Sequence, residues 1–66
     1  MTSTVLIKAL LRSYKELVEI ESRRNLTEGE RNTINAHHTL LAQMGVDTYE
    51  YLMTGAIIVE GEVLNG

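Results

Sequence analysis

Apolar side chains recur at helical spacing from Thr4 to Arg23, in the stretch TVLIKALLRSYKELVEIESR. Ile7, Leu11, Tyr14 and Val18 fall on one helical row, and Leu6, Leu10, Leu17 and Ile20 fall beside it. The pattern predicts a helix with two adjacent apolar ridges rather than one narrow seam. Ser3 or Thr4 can serve as its N-cap. Lys8, Arg12, Lys15, Glu16, Glu19 and Arg23 gather on the opposite side. Arg12–Glu16, Lys15–Glu19 and Glu19–Arg23 are spaced as i,i+4 ion pairs, each contributing about 0.2–0.5 kcal/mol where it forms.

Asn25-Leu26 breaks this pattern, and Thr27-Glu28-Gly29-Glu30 then has the form of a capping box. In such a box the Thr27 hydroxyl accepts from the Glu30 amide while the Glu30 carboxylate reaches back to the Thr27 amide. A second helix is expected from Glu28 to Met44, with Gly45 as its left-handed C′ residue and Val46 folding back. The short connection makes the two helices an antiparallel hairpin. The inner row of the second helix is narrower: Ile34, His37 or His38, Leu41 and Met44, flanked by Ala36 and Leu40. It can cover one ridge of the first helix, not both.

Asp47-Thr48-Tyr49-Glu50 predicts a third, short helix ending near Thr54-Gly55, with Val46 placed to pack on Tyr51 as a hydrophobic staple. The remainder, AIIVEGEVLNG, is rich in β-branched residues. It suits one strand over residues 56–59, a small hairpin around Glu60-Gly61, or a flexible tail. The expected fold class is all-α: a single domain over residues 1–66, built as a helical hairpin plus a short third helix.

Size sharpens the meaning of the second ridge. A chain of 66 residues buries only about 60% of its unfolded surface and is marginally stable. Small domains of this kind usually need a disulfide, a metal or a partner subunit. Cysteine is absent, so disulfides and thiolate metal sites are excluded. Covering one leucine-sized side chain contributes roughly 1.5–3 kcal/mol. An open ridge would forfeit an amount comparable to the whole stability of a small domain. Association of two copies through the first helix is the economical cover, and a two-fold dimer is the commonest closed form. Its candidate interface is Leu6, Ile7, Leu10, Leu11, Tyr14, Leu17, Val18 and Ile20.

Charge adds little. The net charge is −3. Residues 1–25 hold five basic and three acidic side chains, whereas residues 26–66 hold one basic and six acidic. Arg23, Arg24 and Arg31 form a basic spot at the hairpin bend that could touch phosphates. Glu21, Glu28 and Glu30 surround it, and an acidic domain lacks the broad basic footprint of a nucleic-acid binder. Weak nucleic-acid association there is the second reading. The first is that Arg23 and Arg24 complement the negative end of the first helix.

The remaining chemistry is sparse. His37 and His38 point about 100° apart on one helix and have no acid or second histidine at i±3 or i±4, so a zinc site would have to be assembled between subunits. A histidine at an interface edge would instead make association pH-sensitive. No nucleophile elbow, catalytic triad or Gly-rich phosphate loop occurs. No catalytic, cofactor or metal residue is therefore expected, nor an enzyme. The chain has no signal-peptide pattern and no stretch of roughly 20 apolar residues; a soluble cytoplasmic protein is expected, with no membrane partner.

The segment LLRSYKELVEIESRRNLTEGERNTINAHHTLLAQMG, followed by a short acidic-apolar tail, resembles the small helical early proteins of temperate tailed phages. The resemblance covers about half the chain and rests on size, helical-hairpin make-up and the lack of catalytic motifs. It implies an accessory protein that binds a host or phage protein and modulates development. It assigns no functional residues.

Overall fold

The computed structural model describes residues 4–64, as three helices followed by a two-stranded antiparallel sheet. Helix α1 spans Thr4–Glu21, α2 Glu28–Gln43 and α3 Thr48–Thr54. Strands β1 (Ile57–Val59) and β2 (Glu62–Leu64) form a hairpin. The helical hairpin and short third helix are as expected. The class is mostly helical rather than all-α, because the tail takes the small hairpin around Glu60-Gly61, one of the extended forms expected of it. Ser3, the alternative N-cap of α1, lies outside the described residues.

Short-range chemistry sets the helix ends. At α2 the capping box closes in both directions, with Glu30 N–H donating to Thr27 Oγ1 at 3.2 Å and Thr27 N–H donating to Glu30 Oε1 at 2.9 Å. Its far end is a Schellman motif. Val46 N–H donates to the Leu41 carbonyl at 2.9 Å and Gly45 N–H to the Ala42 carbonyl at 3.0 Å, with Gly45 at φ +76°. The chain enters α3 directly from this motif. The Asp47 side chain accepts from Glu50 N–H at 2.9 Å, so the last residue of one helix signal, Val46, is followed directly by the first of the next. Gly55 closes α3 in the left-handed conformation.

That tight passage creates the sheet. Residues 45–47 run antiparallel beside β1, with a bridge between Val46 and Val59. Asp47 N–H donates to the Ile58 carbonyl at 2.9 Å and Glu60 N–H to the Gly45 carbonyl at 2.8 Å. β1 is thus held on both sides, by this segment and by β2. Ile57 pairs with Leu64, Ile58 with Val63 and Val59 with Glu62. Glu60 and Gly61 make the connection with φ of +51° and +81°, the backbone pattern of a type I′ turn. A lone two-stranded hairpin is barely stable in water; here the extra backbone pairing and the packing of β1 on the helices support it.

Ile7, Leu11, Leu41 and Val46 form the buried core. Leu10, Tyr14 and Met44 pack on it from the helical hairpin, and Tyr51, Ile57 and Val59 from α3 and β1. The C-terminal third therefore supplies cover for α1 within the same chain. α1 packs against both α2 and α3, and α3 also against β1. Towards the bend, Leu17 and Leu26 are buried as well. Leu26, which in sequence only marked a break, is part of the interior.

The polar side of α1 departs from expectation. Among the described residues none of the three i,i+4 ion pairs closes, and Arg23 lies beyond the helix end. Lys15 instead sits over the Tyr51 ring, with Nζ 6.0 Å from the centroid, which ties α1 to α3. No helix among the described residues is long and apolar enough to cross a membrane.

Candidate functional site

Three places hold the candidate residues: the hairpin bend, a groove between α1 and α2, and the apolar side chains left open to solvent.

At the bend, the three arginines are separated by what they touch. Arg24 clasps Glu30 with two hydrogen bonds, Nη1 to Oε1 and Nη2 to Oε2, both 2.8 Å. Its Nη1 also donates to the Asn25 carbonyl at 3.0 Å. Glu30 thereby links the capping box of α2 to the chain leaving α1. The bidentate Arg24 contact, reinforced by the Thr27 amide, pulls the Glu30 carboxyl down to about 2, and Glu30 in turn raises Arg24. Arg23 is exposed. Arg31 lies on α2 at the rim of the neighbouring groove. Arg24 is therefore already matched to a carboxylate in the fold.

The groove has a volume of about 250 Å³ and is lined by Tyr14 and Glu21 of α1 and Arg31, Ile34, Asn35 and His38 of α2. This is below the roughly 300–1,000 Å³ of small-molecule sites. Tyr14 and His38 form its aromatic wall, ring centroids 5.8 Å apart and tilted by 33°. Glu21 and Arg31 share the groove without an ion pair within 4.0 Å. Sequence periodicity put Tyr14 in a ridge and did not bring Glu21 and Arg31 together, because the pairing depends on how the two helices cross.

The histidines do not converge. His37 is half-buried, and its Nδ1 lies 2.7 Å from the Thr33 carbonyl, so Nδ1–H donates there. His38 is exposed beside Tyr14. Among the described residues no group of three or more His, Cys, Asp or Glu side chains is gathered to hold a metal ion. The hydroxyls of Ser22, Thr33 and Thr54 each donate to a backbone carbonyl of their own helix or its end. None of these three faces a general base.

The candidate interface on α1 is largely used inside the chain. Ile7, Leu11 and Leu17 are buried, and Leu10, Tyr14, Val18 and Ile20 are half-buried. Of the eight residues only Leu6 is exposed. The open apolar surface lies elsewhere: Tyr49 (69% exposed) and Met53 (65%), one turn apart on α3, Val63 (58%) on β2, Val5 and Leu40.

No protein-family profile, curated protein or solved structure gives a significant match to the chain.

Proposed function

We propose that this protein is a non-enzymatic interaction module that acts in the cytoplasm as a homodimer and regulates a protein partner, in the manner of the phage accessory proteins that it resembles. The observation that carries this reading is the outward pair Tyr49 and Met53. They sit at i and i+4, so they share one face of α3, and both are about two-thirds exposed. Aromatic and methionine side chains are enriched at the centres of protein interfaces. The anchoring of α3 supports the same reading. Asp47 caps its start and Gly55 its end, while Tyr51 is packed on the core. The exposed pair is thus presented on a fixed element. A cysteine-free chain suits a reducing compartment.

The test has two arms. Sedimentation equilibrium should give twice the 7.4 kDa chain mass as concentration rises, and a single-chain mass throughout would remove the homodimer. A photo-crosslinker at Tyr49 should trap one discrete partner in extract of the native host, and Met53→Glu should abolish the product. Diffuse labelling indifferent to Met53→Glu would remove the partner-binding face.

A further inference from the structure

Resting on the homodimer reading, we infer that the second copy binds at the outer edge of β2, joining the two hairpins into one four-stranded antiparallel sheet. β1 is occupied on both sides, by residues 45–47 and by β2. Among the described residues β2 has a neighbour on one side only. Its open edge has a definite hydrogen-bonding register. The Ile58 carbonyl accepts from Asp47 N–H, so it points away from β2. Ile58 and Val63 are therefore a non-hydrogen-bonded pair. The N–H and C=O of Val63 consequently point out from the open edge.

A two-fold axis through Val63 satisfies that edge with a copy of itself. The two Val63 residues exchange N–H···O=C bonds, and each Glu62 faces Leu64 of the other copy rather than another carboxylate. Self-complementarity of this kind is what an isologous interface requires. The side chains agree with it. Ile58 and Val63 share one face of the hairpin, opposite to the core-facing Ile57 and Val59. Two copies would line up Ile58, Val63, Val63 and Ile58 as one β-branched row, covering a valine now 58% exposed. Of the common protections of an edge strand, β2 has shortness and one charge, Glu62, but no lysine, proline or bulge. Strand addition at such an edge is an established mode of recognition. A contact of three residues per strand is short, so the dimer is concentration-dependent rather than permanent.

The experiment uses the full chain. Sedimentation equilibrium from micromolar to millimolar protein is combined with amide hydrogen exchange at Val63, for the wild type, Val63→Lys and Tyr49→Lys. The expected result is a shift from one chain mass to two in the wild type, with the Val63 amide becoming protected as the dimer fills. Val63→Lys keeps every backbone group, places two like charges at the two-fold axis, and should remain single-chain at native helicity. Tyr49→Lys should dimerise as the wild type does. A dimer that survives Val63→Lys, or is lost in Tyr49→Lys alone, overturns the edge and leaves the homodimer reading standing. A wild type that stays single-chain at all concentrations overturns both. If Val63→Lys loses helicity, the wild-type Val63 amide decides alone: exchange that stays fast in the dimer overturns the proposal.

Discussion

Replacing Gly45 with alanine tests the tightest junction in the fold. Gly45 ends α2 at φ +76° and at the same time lies against the turn of the β-hairpin. An alanine Cβ there would meet Glu60 Cγ at 2.7 Å and Glu60 N at 3.4 Å. Two separable costs follow. The left-handed conformation costs an L-residue about 1–2 kcal/mol. Moving the Glu60 side chain off its preferred rotamer adds about 0.5–1.5 kcal/mol. Glu60 cannot retreat bodily, because its N–H donates to the Gly45 carbonyl at 2.8 Å. The expected loss is about 1.5–3.5 kcal/mol, which lowers the melting temperature by roughly 6–28 °C in a domain of this size. Thermal and urea unfolding, followed by far-UV circular dichroism, would measure it. The same substitution in a Glu60→Gly background separates the two parts. There the collision is gone, and only the left-handed cost of about 1–2 kcal/mol should remain. A loss below about 0.5 kcal/mol in the wild-type background would refute the left-handed helix end. An equal loss in both backgrounds would refute the close approach of Glu60.

Three further outcomes are expected. Leu41→Ala removes a fully buried side chain and should cost about 2–5 kcal/mol, whereas Leu40→Ala next to it should change stability by less than about 0.5 kcal/mol; urea titrations of the pair that coincide would contradict the assigned face of α2. Thr27→Ala should cost about 0.5–2 kcal/mol through the lost cap, with slower exchange of the Glu30 amide ruling against it. The Glu30 carboxyl is held at about 2, below its ordinary 4.5, so its pairing stabilises the fold above pH 4.5 and that contribution fades as the pH falls towards 2; Arg24→Ala should move the Glu30 carboxyl titration upward in an NMR experiment, and an unmoved midpoint would show that the clasp does not form.

What could be read from sequence was the chemistry confined to a few neighbouring residues. Thr27 with Glu30, Gly45 with Val46, and Asp47 with Glu50 each announce a helix end, because cap and recipient lie within three residues of one another. The β-hairpin was only partly legible. Glu60-Gly61 is a weaker turn signal than Asn-Gly, and Glu60 is held at φ +51° with the help of its bond to Gly45, fifteen residues earlier. The Arg24–Glu30 clasp spans six residues across a bend, a spacing set by neither helix nor strand periodicity. The opposite failure occurred on α1, where regular i,i+4 spacing promised ion pairs. Exposed pairs of that kind gain little over solvation, and Lys15 is found over Tyr51 instead.

The two ridges of α1 owe their breadth to the fold itself. A helix packed against a single neighbour needs a stripe roughly 100° wide, but α1 packs against both α2 and α3. Two neighbours meet a helix from different directions, and both contact directions must be apolar. Ile7 and Leu11 consequently belong to a core cluster with Leu41 and Val46, on which Met44, Tyr51, Ile57 and Val59 from the later parts of the chain also pack. A second protein molecule would impose the same breadth, so periodicity cannot tell an internal neighbour from an external one. The decisive difference is whether a later segment can return to the first helix, and here Gly45 and Asp47 turn the chain back within three residues. Once that return is made, an external partner has little of the ridge left to bind beyond Leu6. The argument for association then passes from the helix to the element that made the return possible. The hairpin packs Ile57 and Val59 on the core that α1 shares with Leu41 and Val46, and in doing so leaves the outer edge of β2 and the side chain of Val63 facing solvent.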